Sequence, residues 1–143
     1  MKVAIGSDHG GYQLKEKIKQ LLEDLDISYE DFGTDSEESV DYPDFAEGVA
    51  KGVADEEYER GILICGTGIG MSIAANKIDG VRAALCHDLF SAQATREHNN
   101  SNVLTMGARV IGDQLALEIV KTWLGSDFDG GRHQRRIDKI AKL

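Results

Sequence analysis

The chain has 143 residues, 41% of them hydrophobic and 29% charged, with a formal net charge of −9 at pH 7. That length suits one domain around one buried core, and that charge argues against a nucleic-acid surface. Its apolar runs fall far short of the ~20 residues that cross a bilayer. The opening MKVAIGSDHG lacks a signal peptide's cleavage pattern, so the expected location is cytoplasmic, with no membrane partner.

Taken in order, the first apolar run is Val3–Ile5, and it leads into a polar turn, Ser7–Gly11. Leu14, Ile18, Leu21, Leu22 and Leu25 then have the spacing of one helical face. A second run, Ile27–Phe32, precedes the polar loop Thr34–Asp41, which reads first as an ordinary surface connector. Pro43 stands where the next helix would begin, and Phe45, Ala46, Val49, Ala50 and Val53 repeat the helical spacing. The third run, Ile62–Cys65, ends in the glycine-rich turn CGTGIG. Helices fit Ile69–Lys77, Leu89–Glu97 and Gln114–Leu124 around two further runs, Val81–Cys86 and Val103–Met106. The tail from about Gly131, after the Gly130–Gly131 break, fits a last helix. No repeat or linker divides the chain.

Five strand-like runs alternating with helices predict an α/β domain with a five-stranded parallel sheet and crossover helices. Ligands of such sheets bind beyond the carboxyl ends of the strands, where the strand order reverses. If the order starts 2-1-3, the turns Ser7–Gly11 and Cys65–Gly70 face one crevice.

Glycines at 66, 68 and 70 expose backbone N–H groups at a helix start, a place suited to anions. Three phosphate motifs nevertheless fail there. A P-loop needs Gly-Lys where Met71 and Ser72 stand, and a dinucleotide fingerprint needs a glycine at Met71. A Cys-x5-Arg phosphatase would need arginine at that same Met71. What remains is a thiol beside backbone donors, an environment that favours the thiolate and hence a base. The competing reading is a small buried apolar residue at a strand end, as is expected of Cys86. Neither cysteine has the spacing of a zinc site or a disulfide framework, so both are expected as free thiols.

A second polar cluster is TREHNNSNV, Thr95–Val103, where His98 suits proton transfer near neutral pH and the asparagines suit hydroxyl groups. Arg109, after the fifth run, is expected to add a cation close to the same rim. Residues 132–143 gather five cations against one carboxylate. They would serve either a particular anion or the preference of a helix C-terminus for positive charge.

With these residues placed, the chain resembles the family of type B ribose-5-phosphate isomerases, which includes the bacterial galactose-6-phosphate isomerase subunits. The likeness rests on SDHGG, DYPDFA, ILICGTGIGMSIAANK, VRAALC, EHNNSNVLTMGARVIG and GGRHQRRI, in that order along nearly the whole chain. It implies a Rossmann-like α/β/α sandwich forming homodimers, or tetramers built from them, with active sites at the subunit interface and neither cofactor nor metal. It further implies that Cys65 is the base of an aldose-ketose isomerisation through a 1,2-enediolate, with the Gly66, Gly68 and Gly70 turn as oxyanion site. Thr67 would shuttle protons, His98 would open the sugar ring and Asp8 would hold hydroxyls. Tyr42 and Asn99 would line the sugar, while His9, Arg109, Arg132 and Arg136 would meet the phosphate, the last two from a neighbouring subunit. Another branch of the family uses a glutamate base, and Met71 stands at that position here. Allose 6-phosphate and galactose 6-phosphate are the rival substrates, and a non-catalytic sugar-phosphate-binding module is the rival class.

Overall fold

Each apolar run becomes a strand of one parallel sheet in the computed structural model, which describes residues 1–143. The strands are β1 Lys2–Ser7, β2 Ser28–Asp31, β3 Arg60–Cys65, β4 Ala83–Leu85 and β5 Val103–Gly107. Between and after them run α1 Tyr12–Asp24, α2 Tyr42–Ala54, α3 Ile69–Ala75, α4 Leu89–Asn99, α5 Asp113–Gly125 and α6 Arg132–Ile140. No helix is long and apolar enough to cross a membrane.

The strand order is β2-β1-β3-β5-β4, with every pair parallel. Order therefore reverses between β1 and β3, as the sequence led one to expect, while β5 takes the inner place and β4 the edge. That exchange accounts for the short β4, which pairs only with β5, over Ala83–Leu85 rather than the expected Val81–Cys86. All five residues of β5 are buried, as an inner strand requires.

Alternation along the strands assigns the two cores. Val3, Ile5, Ile62, Ile64, Leu104 and Met106 point into a cluster shared with α1, α4 and α5. Ala4, Leu63, Cys65 and Val103 point the other way, towards α2 and α3. The result is a Rossmann-like three-layer α/β/α sandwich. Helix α1 stops at Asp24, so Leu25, expected on the buried face, sits at the cap and is 43% exposed. Pro43 lies in the first turn of α2, where its missing N–H costs no helical bond.

The parallel sheet has two unlike rims. At the carboxyl rim β1 runs into Asp8–Gly11, β3 into Gly66–Gly70 and β5 into Ala108 and Arg109. At the amino rim, α4 has run back to the start of β5, and Asn102 O accepts from Gly61 N at 2.8 Å beside the start of β3. The segment leading into α6 docks here too, for Asp129 N donates to Glu97 O at 3.0 Å.

Candidate active site

The carboxyl rim is organised around the end of β3. Cys65 is 4% exposed, and its Sγ accepts a hydrogen bond from Gly68 N at 3.0 Å. That bond requires the chain to fold back tightly. Gly68 supplies the bend at φ 77°, a left-handed conformation that side chains disfavour, and it caps α3. Thr67 Oγ1 accepts from Ile69 N at 3.2 Å and is otherwise open to solvent. The amides of Gly66 and Thr67 donate to no group of the protein. A thiol and two open N–H donors thus face the same turn.

The neighbouring turn is built by Asp8. Its Oδ1 accepts from Gly10 N at 2.9 Å and Gly11 N at 3.2 Å, closing a single 3-10 turn at His9–Gly11, and Oδ2 is left for other donors. Asp8 N bonds Ile64 O at 3.2 Å, which locks this turn to the end of β3. His9 Nδ1 accepts from Val40 N at 3.2 Å. In the neutral ring the proton therefore sits on Nε2 and is available as a donor. The same bond ties the Thr34–Asp41 loop to the rim, so it is more than a connector.

Arg109 and Tyr42 complete this half. Arg109 Nη1 comes within 3.2 Å of where a Cβ on Gly66 would stand, and Nη2 within 3.5 Å of that on Gly10, so the guanidinium bridges the two turns. Tyr42 lays its ring against Gly70. Cys65, Thr67, Asp8, His9, Tyr42 and Arg109 are thereby brought together with Gly66, Gly68 and Gly70.

The remaining expected residues lie at the other end of the molecule. His98 and Asn99 are exposed in the last turn of α4. The His98 ring stacks on that of His133, centroids 4.5 Å apart and planes 14° from parallel. Burial, then His98, Arg132 and Arg136, hold the His133 imidazole below its ordinary 6.5. Arg132 and Arg136 are exposed one turn apart in α6, at its first and fifth positions. A helix dipole does not explain them, because cations are favoured in the last turn and neither arginine lies there.

None of Arg109, Arg132 and Arg136 joins any ion pair of the chain. The expectation that Arg109 shares a rim with the Thr95–Val103 cluster is corrected by the topology. The five residues of β5 stand between them, a rise of roughly 15 Å at about 3.3 Å per residue.

Two histidines were overlooked in the sequence. His87 Nε2 accepts from Gly107 N at 2.9 Å and so braces the strand end from which Arg109 emerges. His133 was visible only as part of GGRHQRRI. With His98 and Asp129 it offers ligand atoms within 4.8 Å of one another. The stacked rings, however, hold their lone pairs in two nearly parallel planes, a poor arrangement for sharing one ion.

A parallel α/β sandwich with a thiol, open amides and the unpaired Arg109 at its switch point has the make-up of a small-molecule enzyme acting on an anionic substrate. Residues 3–140 match the family model described as Ribose/Galactose Isomerase. A Bacillus subtilis relative, named only as far as a sugar phosphate isomerase, is 61% identical over 142 residues, covering 99% of this chain and 95% of its own. A Pectobacterium atrosepticum relative named D-erythrulose-4-phosphate isomerase is 45% identical over 142 residues, covering 99% and 93%. The solved structure of Clostridium thermocellum ribose-5-phosphate isomerase B is 54% identical and superposes with a TM-score of 0.98, covering 99% of this chain and 96% of that one. The chain belongs to the ribose/galactose isomerase family and is an isomerase.

Proposed function

We propose that the chain interconverts ribose 5-phosphate and ribulose 5-phosphate through a 1,2-enediolate, with Cys65 as the base. The observation that carries this reading is the Cys65 Sγ held at the Gly66–Gly70 turn next to the unpartnered amides of Gly66 and Thr67. In the open-chain aldose the thiolate removes the proton from C2. The C–H electrons form the C1=C2 double bond, and the carbonyl pair moves onto O1. That negative charge is what the open amides meet, where donors fixed in advance stabilise a developing oxyanion. Cys65 then returns its proton to C1, while Thr67 carries the hydroxyl proton from O2 to O1, leaving the ketone at C2. No redox partner enters the balance.

Asp8 Oδ2 and Tyr42 would hold sugar hydroxyls, and His9 Nε2 and Arg109 would face the phosphate. The rest of the site would come from a second copy of the chain, as the separation of the two rims supports. In that homodimer the partner's His98 opens the sugar ring, the partner's Asn99 lines it, and the partner's Arg132 and Arg136 grip the phosphate as a pair, with dimers able to pair further into tetramers. An exposed apolar strip favours such pairing. It runs through Ile69 and Ile73 of α3, Leu85 on the edge strand, and Leu89 and Phe90 of α4, with Phe90 81% exposed. An edge strand with an uncovered apolar flank invites association.

The test is turnover by the purified protein with a chelator present, offered ribose 5-phosphate, erythrulose 4-phosphate, allose 6-phosphate and galactose 6-phosphate in parallel. Preferred turnover of the pentose is expected. Preference for another sugar would keep the chemistry and replace the substrate. Binding without turnover of any would favour a sugar-phosphate-binding module.

A further inference from the structure

A second polar cavity, of about 590 Å³, opens at the amino rim beneath α4 and the end of α2. Arg60, Arg82 and Arg96 line it together with Asn100 and Asn102. Arg60 is 8% exposed and Arg96 5%, and Arg82 is half-buried. No carboxylate forms an ion pair with any of the three. Glu56 and Glu59, on the cavity's exposed lip, leave them unpaired.

The hydrogen bonds they do make use few of their donors. Arg60 reaches Trp123 O only at 3.5 Å. Arg82 spends Nε on Asn100 O at 2.9 Å. Arg96 places Nε 3.4 Å from Ser126 O and gives Nη1 to Asn100 Oδ1 at 2.9 Å and to Ser101 O. A guanidinium carries five N–H groups, so most of the donors of these three cavity-lining side chains bond to nothing in the chain, and the carboxylates of Glu59 and Asp127 reach Arg60 and Arg96 only through space.

Guanidinium does not shed its charge to relieve such crowding, as a lysine or histidine does. The strain is nevertheless registered: burial first, then the like charges of Arg60 and Arg82, push Arg96 down to about 10. Three desolvated cations gathered with no carboxylate in direct contact are costly to fold, and a bound anion offsets that cost. The planar forks suit phosphate or carboxylate oxygens.

We propose that this cavity is a second anion site, taking a small compound that carries a phosphate or several clustered carboxylates. It stands apart from the carboxyl-rim site and does not depend on the isomerase reading. Arg132 and Arg136 do not line it.

The chain's single tryptophan provides the readout, since the Arg60 guanidinium lies 5.3 Å from the centroid of the Trp123 ring. Trp123 fluorescence of the full chain is titrated with inorganic phosphate and, separately, with citrate. The same titration in Arg109→Ala/Arg136→Ala removes one phosphate grip from each half of the site proposed for catalysis. A saturable change that survives this double substitution is expected, and the ligand giving the tighter curve names the class. Arg82→Gln should then weaken binding about tenfold, the loss of one charge-assisted contact. Arg82→Lys, which keeps the charge but not the fork, should fall between and serves if the glutamine variant folds poorly. Absence of a saturable change with both anions in the unsubstituted protein overturns the proposal, and so does an affinity unmoved by either Arg82 substitution.

Discussion

The ring of Tyr42 occupies the space that a side chain on Gly70 would need: a Cβ there would stand 2.5 Å from Tyr42 Cζ. Tyr42 is 40% exposed and free to swing outwards. Gly70→Ala should therefore cost little stability while displacing the ring from the cysteine turn. The expected result is a fall of about tenfold in kcat/KM, roughly 1.4 kcal/mol of transition-state stabilisation, with the melting temperature nearly unchanged. Steady-state kinetics beside a thermal melt checks both halves.

Cys65→Ser should preserve the turn, since a hydroxyl oxygen can accept the Gly68 N–H bond that Sγ now accepts. The alcohol is a far weaker acid than the thiol. Turnover should drop by about 10²-fold or more, the range for loss of a general base, while ribose 5-phosphate binding by calorimetry stays within a few-fold. Unchanged turnover would remove Cys65 from the base role.

Because the two rims lie at opposite ends of the strands, damaged chains should rescue one another. Arg136→Ala alone should raise KM by loosening the phosphate grip, and Arg132→Ala/Arg136→Ala should nearly abolish turnover, as Cys65→Ser does. Mixing the two inactive proteins under conditions that exchange subunits should restore about a quarter of full activity. Half the dimers would then be mixed, each with one intact site of two. No recovery despite proven exchange would mean that each site is built from one chain.

How much of this was legible beforehand depended on whether the signal was local. Val3–Ile5 and Ile62–Cys65 declared themselves as strands because buried parallel strands are apolar on both faces. The Leu14, Ile18, Leu21, Leu22 face of α1 followed from helical period alone. The exchange of β4 and β5 was not legible, since strand order is decided by packing between distant segments. The site divided along the same line. Cys65 and the Gly66–Gly70 turn are contiguous, whereas Tyr42 meets Gly70 and Val40 meets His9 across 28 and 31 positions of sequence. Which rim His98 occupies followed only from the path of α4.

A stability prediction concerns Lys15, which is wholly buried although charged. Its Nζ bonds Asp31 Oδ2 at 2.6 Å, and Lys19 joins the same oxygen at 2.8 Å. Burial alone would raise the Asp31 carboxyl, but the bonds from Lys15 and Lys19 outweigh it and hold the group below its ordinary 3.8. A depressed carboxylate stabilises the fold fully above its unfolded value, and that contribution fades as pH falls through the lower folded value. Asp31→Asn should cost about 2 kcal/mol near neutral pH, discounted for the partial exposure of Asp31, because a buried ammonium loses its nearer counter-charge and keeps only Glu16, at 3.6 Å. Urea unfolding at pH 7 and pH 3 tests this. The gap between variant and parent should narrow at the lower pH.

The five residues of β5 also bear on behaviour under dilution. They hold the His98 end of the chain a strand's length from its own Arg109, a gap that no side chain closes. On the proposed two-chain site, a lone chain would carry halves of two different sites and a whole one of neither. Specific activity should then decline as the protein is diluted below its dissociation constant, so that catalysis itself gauges how many chains are paired.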